Sequence, residues 1–151
     1  RRSHYYCRLR VCFSSQRRRL QLSIFEYKIR NMKTDNIIQI KSYDFALRII
    51  KLNQFLVSNQ KEFSISWQLL HSGTSIGANV EEAIDGTTKK DFKYKLSISY
   101  REARESHYWI RLLRDTDYIS QEQASSLLKD CDKLLKIIGS IIKTTKANLN
   151  H

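Results

Sequence analysis

The chain reads as an all-α protein, an antiparallel up-down-up-down four-helix bundle, and three features predict it. Proline is absent and glycine occurs only at positions 73, 77, 86 and 139, whereas sandwiches and barrels need turn residues every ten positions or so. Apolar side chains recur every three or four residues through four segments between residue 42 and about residue 146, the spacing of one helix face. The segments joining them are short, so consecutive helices pack antiparallel. At 151 residues and 41% hydrophobic content, the chain has enough apolar material for one ordinary core.

The first helix is predicted over 43–57, with Ser42 as N-cap and a stripe of Phe45, Ile49, Leu52 and Leu56 widened by Ala46, Ile50 and Val57. Residues 58–63 are polar and read as a connection. Ile65, Leu69, Ser72, Ile76, Val80 and Ala83 mark one face of the second helix, which Gly86 is placed to stop in the left-handed conformation. Ser72, Gly73, Ser75, Gly77 and Ala78 make its middle small. Each Gly costs about 1 kcal/mol of helix propensity relative to Ala, and close approach by a neighbouring helix is the expected compensation.

Thr88 with Asp91 resembles a capping box in which Asp replaces Glu, and it opens a third helix reaching about residue 117. Phe92, Leu96, Ser99, Ala103, Ser106, Ile110 and Leu113 alternate steps of four and three, the seam of a left-handed bundle, with a small middle matching that of helix two. Ser120 with Gln123 is a second capping box. Ala124, Leu127, Leu128, Cys131, Leu134, Leu135, Ile138, Ile141 and Ile142 form the apolar face of helix four, and residues 148–151 are expected to fray.

The net charge of +12 is unevenly spread. Residues 1–31 carry nine Lys and Arg against one acid, Glu26, leaving only +4 for residues 32–151. This arm mixes Arg17, Arg18 and Arg19 with Tyr5, Tyr6 and Phe13 without a sustained period, and the chain's one Met, Met32, stands just before the first ordered pattern. The arm reads as upstream sequence translated in error, with the bundle domain occupying 32–151. A disordered basic arm that binds nucleic acid and an organelle transit segment are the alternatives. Cys7 and Cys12 lie in the arm and Cys131 stands alone, so neither a disulfide framework nor a four-ligand zinc site is supported and a reducing compartment is the default. No stretch reaches the length of uncharged apolar sequence that a membrane span requires, and a soluble cytoplasmic protein is expected.

On helix three, Lys90, Tyr94, Ser97, Arg101, Arg104, Tyr108 and Arg111 fall two residues behind the core stripe, nearly opposite to it. Lys93 adds a further cation. Cations neutralise phosphates and tyrosine rings stack on unpaired bases, so RNA contact is the favoured reading over a subunit interface or a merely solvated face. One residue behind the seam stand Ile98, Glu102, Glu105, Trp109 and Leu112. Glu102 and Glu105 are expected to pair with Arg101 or Arg104 of a neighbouring copy, or with a cation of helix one such as Arg48. A catalytic role is disfavoured because no nucleophile or base of matching spacing accompanies them. A di-iron bundle needs Glu-x-x-His on two helices. His71 has no Glu three residues before it and His107 follows Glu105 by two, so no metal, cofactor or catalytic residue is expected. Asn79 and Glu82, in the run 74–83, are expected to bond across a helix contact and set its register.

Three stretches carry a family resemblance: Ser75-Ile76-Gly77-Ala78-Asn79-Val80-Glu81-Glu82-Ala83; Lys89-Lys90-Asp91-Phe92-Lys93-Tyr94-Lys95-Leu96-Ser97-Ile98; and Glu102-Ala103-Arg104-Glu105-Ser106-His107-Tyr108-Trp109-Ile110-Arg111-Leu112-Leu113. In order and spacing they resemble the four-helix-bundle proteins encoded by intervening sequences in bacterial 23S ribosomal RNA genes, over roughly residues 42–146. The resemblance implies a bacterial, homopentameric ring of bundles with no established enzymatic activity and an association with RNA. The related accessory protein of diversity-generating retroelements shares the fold and binds nucleic acid and a reverse transcriptase. Gly77 stands where the family often has Pro, and Ala83 where many members have Gly, which leaves the subfamily open. The arm over 1–31 has no counterpart in the family. The function expected is therefore a non-enzymatic, self-associating bundle that contacts structured RNA, ribosomal RNA or its precursor, with no membrane and no small-molecule substrate. The alternative is an adaptor that docks a partner such as a reverse transcriptase.

Overall fold

The structure, a computed structural model, describes residues 36–148. The basic arm, the start at Met32 and the chain end beyond Asn148 lie outside the described residues. Four helices follow one another: α1 (Ile37–Phe55), α2 (Ser64–Ile84), α3 (Lys89–Asp115) and α4 (Gln121–Ala147). α1 packs on α2, α2 on α3, α3 on α4, and α4 closes back onto α1. Direction alternates: Gln39 at the start of α1 donates to Glu81 at the end of α2 (2.9 Å), while Asn53 near the end of α1 donates to the Ser66 carbonyl at the start of α2 (3.2 Å). This is the expected four-helix bundle. Its interior holds one residue from nearly every turn of each helix, including Phe45, Ile49, Leu69, Ile76, Leu96, Ile110, Leu134 and Ile138, all at most 1% exposed. Each such large side chain contributes about 1.5–3 kcal/mol relative to an exposed one.

α1 begins six residues before the expected position. Ile38 is 3% exposed and lies on the line through Ser42, Phe45, Ile49, Leu52 and Leu56, so an extra turn of helix buries one more apolar side chain. Ser42 is consequently not an N-cap. It lies mid-helix, buried, with its hydroxyl donating to the Gln39 carbonyl (3.0 Å). Ile50, expected to widen the stripe, is instead exposed. At its far end α1 widens into a π-type turn over Leu56–Gln60, and the chain leaves through Lys61 at φ 53°.

The connection read as merely polar contains the device that starts α2. Glu62 is 7% exposed and its carboxylate accepts from the backbone N–H groups of Ser64 (2.9 Å), Ile65 (2.7 Å) and Ser66 (2.7 Å). These are donors that the first turn of a helix otherwise leaves unpaired. Burial pushes the Glu62 carboxyl up, but the bonds from Ile65, Ser66 and Ser64 together outweigh it and hold the group below the ordinary carboxylate range.

Gly86 does not take the left-handed conformation predicted for it; no glycine among the described residues has positive φ. α2 closes on its own carbonyls at Asp85, and Gly86 is there for space: a Cβ would lie 2.9 Å from the Ala83 carbonyl oxygen and 3.1 Å from an Asp91 carboxylate oxygen. The glycines inside α2 differ from each other. A Cβ at Gly73 would lie 2.8 Å from Ile49 Cγ1, whereas one at Gly77 would lie 3.6 Å from the Ser42 carbonyl oxygen, an ordinary contact.

α3 opens with half of the expected box, the Thr88 hydroxyl accepting from Asp91 N–H (3.0 Å). It ends two residues before the expected limit. Asp117 at φ 60° and the bonds Asp117 N–H to Arg114 O (3.0 Å) and Tyr118 N–H to Leu113 O (3.0 Å) form a Schellman closure. In α4 both bonds of the Ser120–Gln123 capping box are present. The seam of α3 lies inside as predicted: Leu96, Ser99, Ala103, Ser106, Ile110 and Leu113 are buried and Phe92 packs at its edge.

Candidate nucleic-acid interface

Because the seam of α3 faces inward, the residues two positions behind it face water. Lys90, Arg101, Arg104 and Arg111 are exposed and Lys93 is half-buried. Tyr94 and Tyr108 keep 59% and 49% of their surface open. Ser97 donates to the Lys93 carbonyl and is spent within the helix. None of Lys90, Lys93, Arg101, Arg104 and Arg111 forms an ion pair among the described residues. Four other cations are matched: Arg48 with Asp130, Lys95 with Glu82, Arg114 with Asp115 and Lys133 with Asp130. The outer face of α3 therefore carries cations free of direct ion pairs beside exposed aromatic rings, although Arg101 and Arg111 still act at longer range on Glu102 and Asp115.

Of the two acids, Glu102 turns toward His71 and Ser75 of α2. Glu102 is half-buried; burial and then the neighbouring Glu105 carboxylate push its carboxyl up, against the pull of His71, Arg101 and Ser75. Glu105 accepts from the Trp109 indole N–H (3.0 Å), and Trp109 meets Tyr108 edge-on, ring centres 4.9 Å apart at 68°. Glu105 thus holds a ring that in turn buttresses Tyr108. The pairing expected between these carboxylates and Arg48 does not occur. Arg48 points to α4, where it binds Asp130 and donates to the Ser126 hydroxyl (2.9 Å).

Glu82 does bond across the helix contact, to Lys95 of α3. Asn79 does not: its amide donates to the Ser75 carbonyl (2.9 Å) one turn back in α2, because a polar side chain at the edge of the contact finds its own helix before the neighbour. Two buried serines bond across the same contact between α2 and α3. Ser106 donates to the Ser72 hydroxyl (3.0 Å) and Ser99 to the Ile76 carbonyl (3.0 Å). Cys131 donates to the Ala103 carbonyl (3.1 Å), and burial pushes its thiol up to about 12, so it remains a protonated donor. Among the described residues no group of three or more His, Cys, Asp or Glu is placed to hold a metal, and no helix is long and apolar enough to cross a membrane.

Sequence reasoning missed the contribution of α4. Lys129, Lys136 and Lys143 are exposed and spaced by seven, two helical turns, so they share one line. Gly139 of α4 lies against the Tyr100 ring and Asp132 of α4 lies 3.6 Å from His107 Nε2, which places this line beside the outer face of α3. Burial holds the His107 imidazole below its usual value; Asp132 opposes this, and Arg111, Arg104 and Arg114 reinforce it. The heptad spacing was legible, but the adjacency of the two lines was not.

Comparison with known proteins agrees with this architecture. The family model described as 23S rRNA-intervening sequence protein matches residues 34–140. A crystal structure of a protein of unknown function from the S23 ribosomal protein family of Bacteroides thetaiotaomicron is similar at 48% identity and a TM-score of 0.71, over 72% of this chain and 96% of that one. Comparison with curated proteins finds no match. The inward seam of α3, the four-helix order and the family match meet in one conclusion: the chain belongs to the 23S rRNA-intervening sequence protein family.

Proposed function

We propose that this protein is a non-enzymatic, self-associating bundle of the bacterial cytoplasm that contacts structured RNA, ribosomal RNA or its precursor, through the outer face of α3. The observation that carries this reading is the set of unpaired cations Lys90, Lys93, Arg101, Arg104 and Arg111 interleaved with exposed Tyr94 and Tyr108. Every phosphate neutralised releases condensed counterions, and cations with no internal partner deliver that gain without breaking a pair. The family description, which names 23S rRNA, supports the same ligand. Filter binding tests it. Folded ribosomal RNA is expected to bind more tightly than heparin and to lose affinity when Arg101→Glu and Arg104→Glu are combined; equal affinity for the two polyanions with no effect of the charge reversal would reject it.

A second reading, an adaptor that docks a partner such as a reverse transcriptase, is favoured by one observation. Ile40, Ile50, Phe63 and Trp67, on α1 and at the start of α2, are between 37% and 63% exposed, and Phe63 and Trp67, one helical turn apart, leave two large rings open to a partner. The same side chains are available for self-association, for which the resemblance implies a homopentamer. Light scattering separates the two: a closed oligomer that dissociates on Trp67→Glu favours contact between copies, and a monomer that captures a partner favours the adaptor.

A further inference from the structure

The geometry of α3 allows the ligand of the proposed RNA surface to be narrowed, and the inference rests on that reading. Tyr94, Arg101 and Tyr108 are each seven residues apart. Seven residues are close to two helical turns and advance about 10.5 Å. The two exposed rings therefore stand on one line about 21 Å apart, with the Arg101 guanidinium midway between them and Arg104 one turn further on. The Tyr108 ring is held in place by its edge contact with Trp109, itself anchored on Glu105. A surface for duplex phosphates alone has no use for open aromatic rings. Bases paired in an A-form helix hide their faces against one another, and the deep, narrow major groove keeps side chains from their edges. Unpaired bases offer faces for stacking, and the cations between the rings meet the intervening phosphates.

We infer that the α3 face takes a short unpaired stretch of RNA, such as a loop or strand end. Its bases stack on Tyr94 and Tyr108, and its phosphates run over Arg101 and Arg104. At a stacked rise of about 3.4 Å per nucleotide the interval between the rings corresponds to about six nucleotides, fewer if the strand is drawn out. The lysine line of α4 flanks this track and adds charge without sequence preference.

The test is fluorescence anisotropy of the full chain with two labelled probes of equal length, an unstructured oligouridine RNA and a blunt RNA duplex. The single strand is expected to bind at least tenfold more tightly. Tyr94→Leu and Tyr108→Leu are each expected to weaken single-strand binding by about five- to a hundredfold, the range of one base–aromatic stack, and to leave duplex binding unchanged. Tyr108→Phe is expected to retain affinity because it keeps the ring. Tyr94 and Tyr108 are 59% and 49% exposed, so the variants should fold, as circular dichroism will show. If the duplex binds as well as the single strand, and only Arg101→Glu with Arg104→Glu weakens both probes, the unpaired-base inference is overturned while the RNA surface stands. If the charge reversal leaves both probes unaffected, the RNA surface fails and this inference with it.

Discussion

Toward α2, helix α3 presents Ser99, Ala103 and Ser106, and each of the two serines has a partner within 3.0 Å. Toward solvent the same helix presents Arg101, Arg104 and Arg111 with no ion pair among the described residues, beside the open rings of Tyr94 and Tyr108. Two sides of one helix thus treat polar groups in opposite ways. Inside, every buried side-chain nitrogen and oxygen among the described residues has a hydrogen-bond partner, because an unpaired buried group costs about 1–3 kcal/mol. Outside, charge is left unneutralised, which a solvated surface tolerates and an anionic ligand turns into affinity. Where stability sets the sequence the bonds close internally; the open cations of the outer face are the ones the proposed RNA surface would use.

The largest effect that sharpens this contrast lies in the seam. Ile110→Ala should lower unfolding free energy by about 2–5 kcal/mol, through lost burial and a cavity, whereas Arg101→Ala combined with Arg104→Ala should move it by no more than about 0.5 kcal/mol. Urea denaturation measures both, and a large loss from the arginine pair would break the contrast. Next come the glycines of α2. Gly73→Ala drives a methyl into Ile49, which is fully buried and stiff at χ1, and should cost about 1–3 kcal/mol despite better helix propensity. Gly77→Ala meets only ordinary contact and should gain up to about 1 kcal/mol. Thermal midpoints moving in the same direction would show the α1–α2 approach to be looser than the structure has it.

A further effect, confined to neutral pH, concerns Glu62. Its carboxyl is held below the ordinary range in the folded state, so its stabilisation is complete above the unfolded-state value and is lost as pH falls through the folded-state value. Glu62→Gln should cost about 0.5–2 kcal/mol at neutral pH, the range of a helix cap, and the gap to the parent should shrink in acid. Chemical denaturation across pH 3–7 checks this, and a gap constant with pH would contradict it.

Much of the fold was legible because the seam residues of α3 and α4 keep strict three-and-four spacing, which fixes the inward direction without three-dimensional knowledge. The start of α1 was not legible, because Ser42 interrupts the apolar line and a serine before an apolar run looks like a cap. Glu62 escaped for a related reason: an acid in a polar connection carries no periodic signal, and its role depends on three backbone donors that exist only once α2 forms. Gly86 was misread because a glycine past a helix serves either conformation or space, and only the neighbouring Ala83 carbonyl and Asp91 carboxylate decide. The outer face of α3 was legible as a line of residue types. That Arg48 spends its charge on Asp130, 82 positions away, and that the lysines of α4 flank that line, belong to helix packing and left no mark in local sequence.

The most direct measurement is the salt dependence of binding to single-stranded RNA. Replacing Arg101, Arg104 and Arg111 together by Gln removes three phosphate contacts, so the slope of log affinity against log salt should fall in magnitude by about two, at roughly 0.7 per contact, with an unchanged urea midpoint. An identical slope in the parent and the variant would mean that these arginines do not face the ligand, and the outer face of α3 would then be a solvated surface.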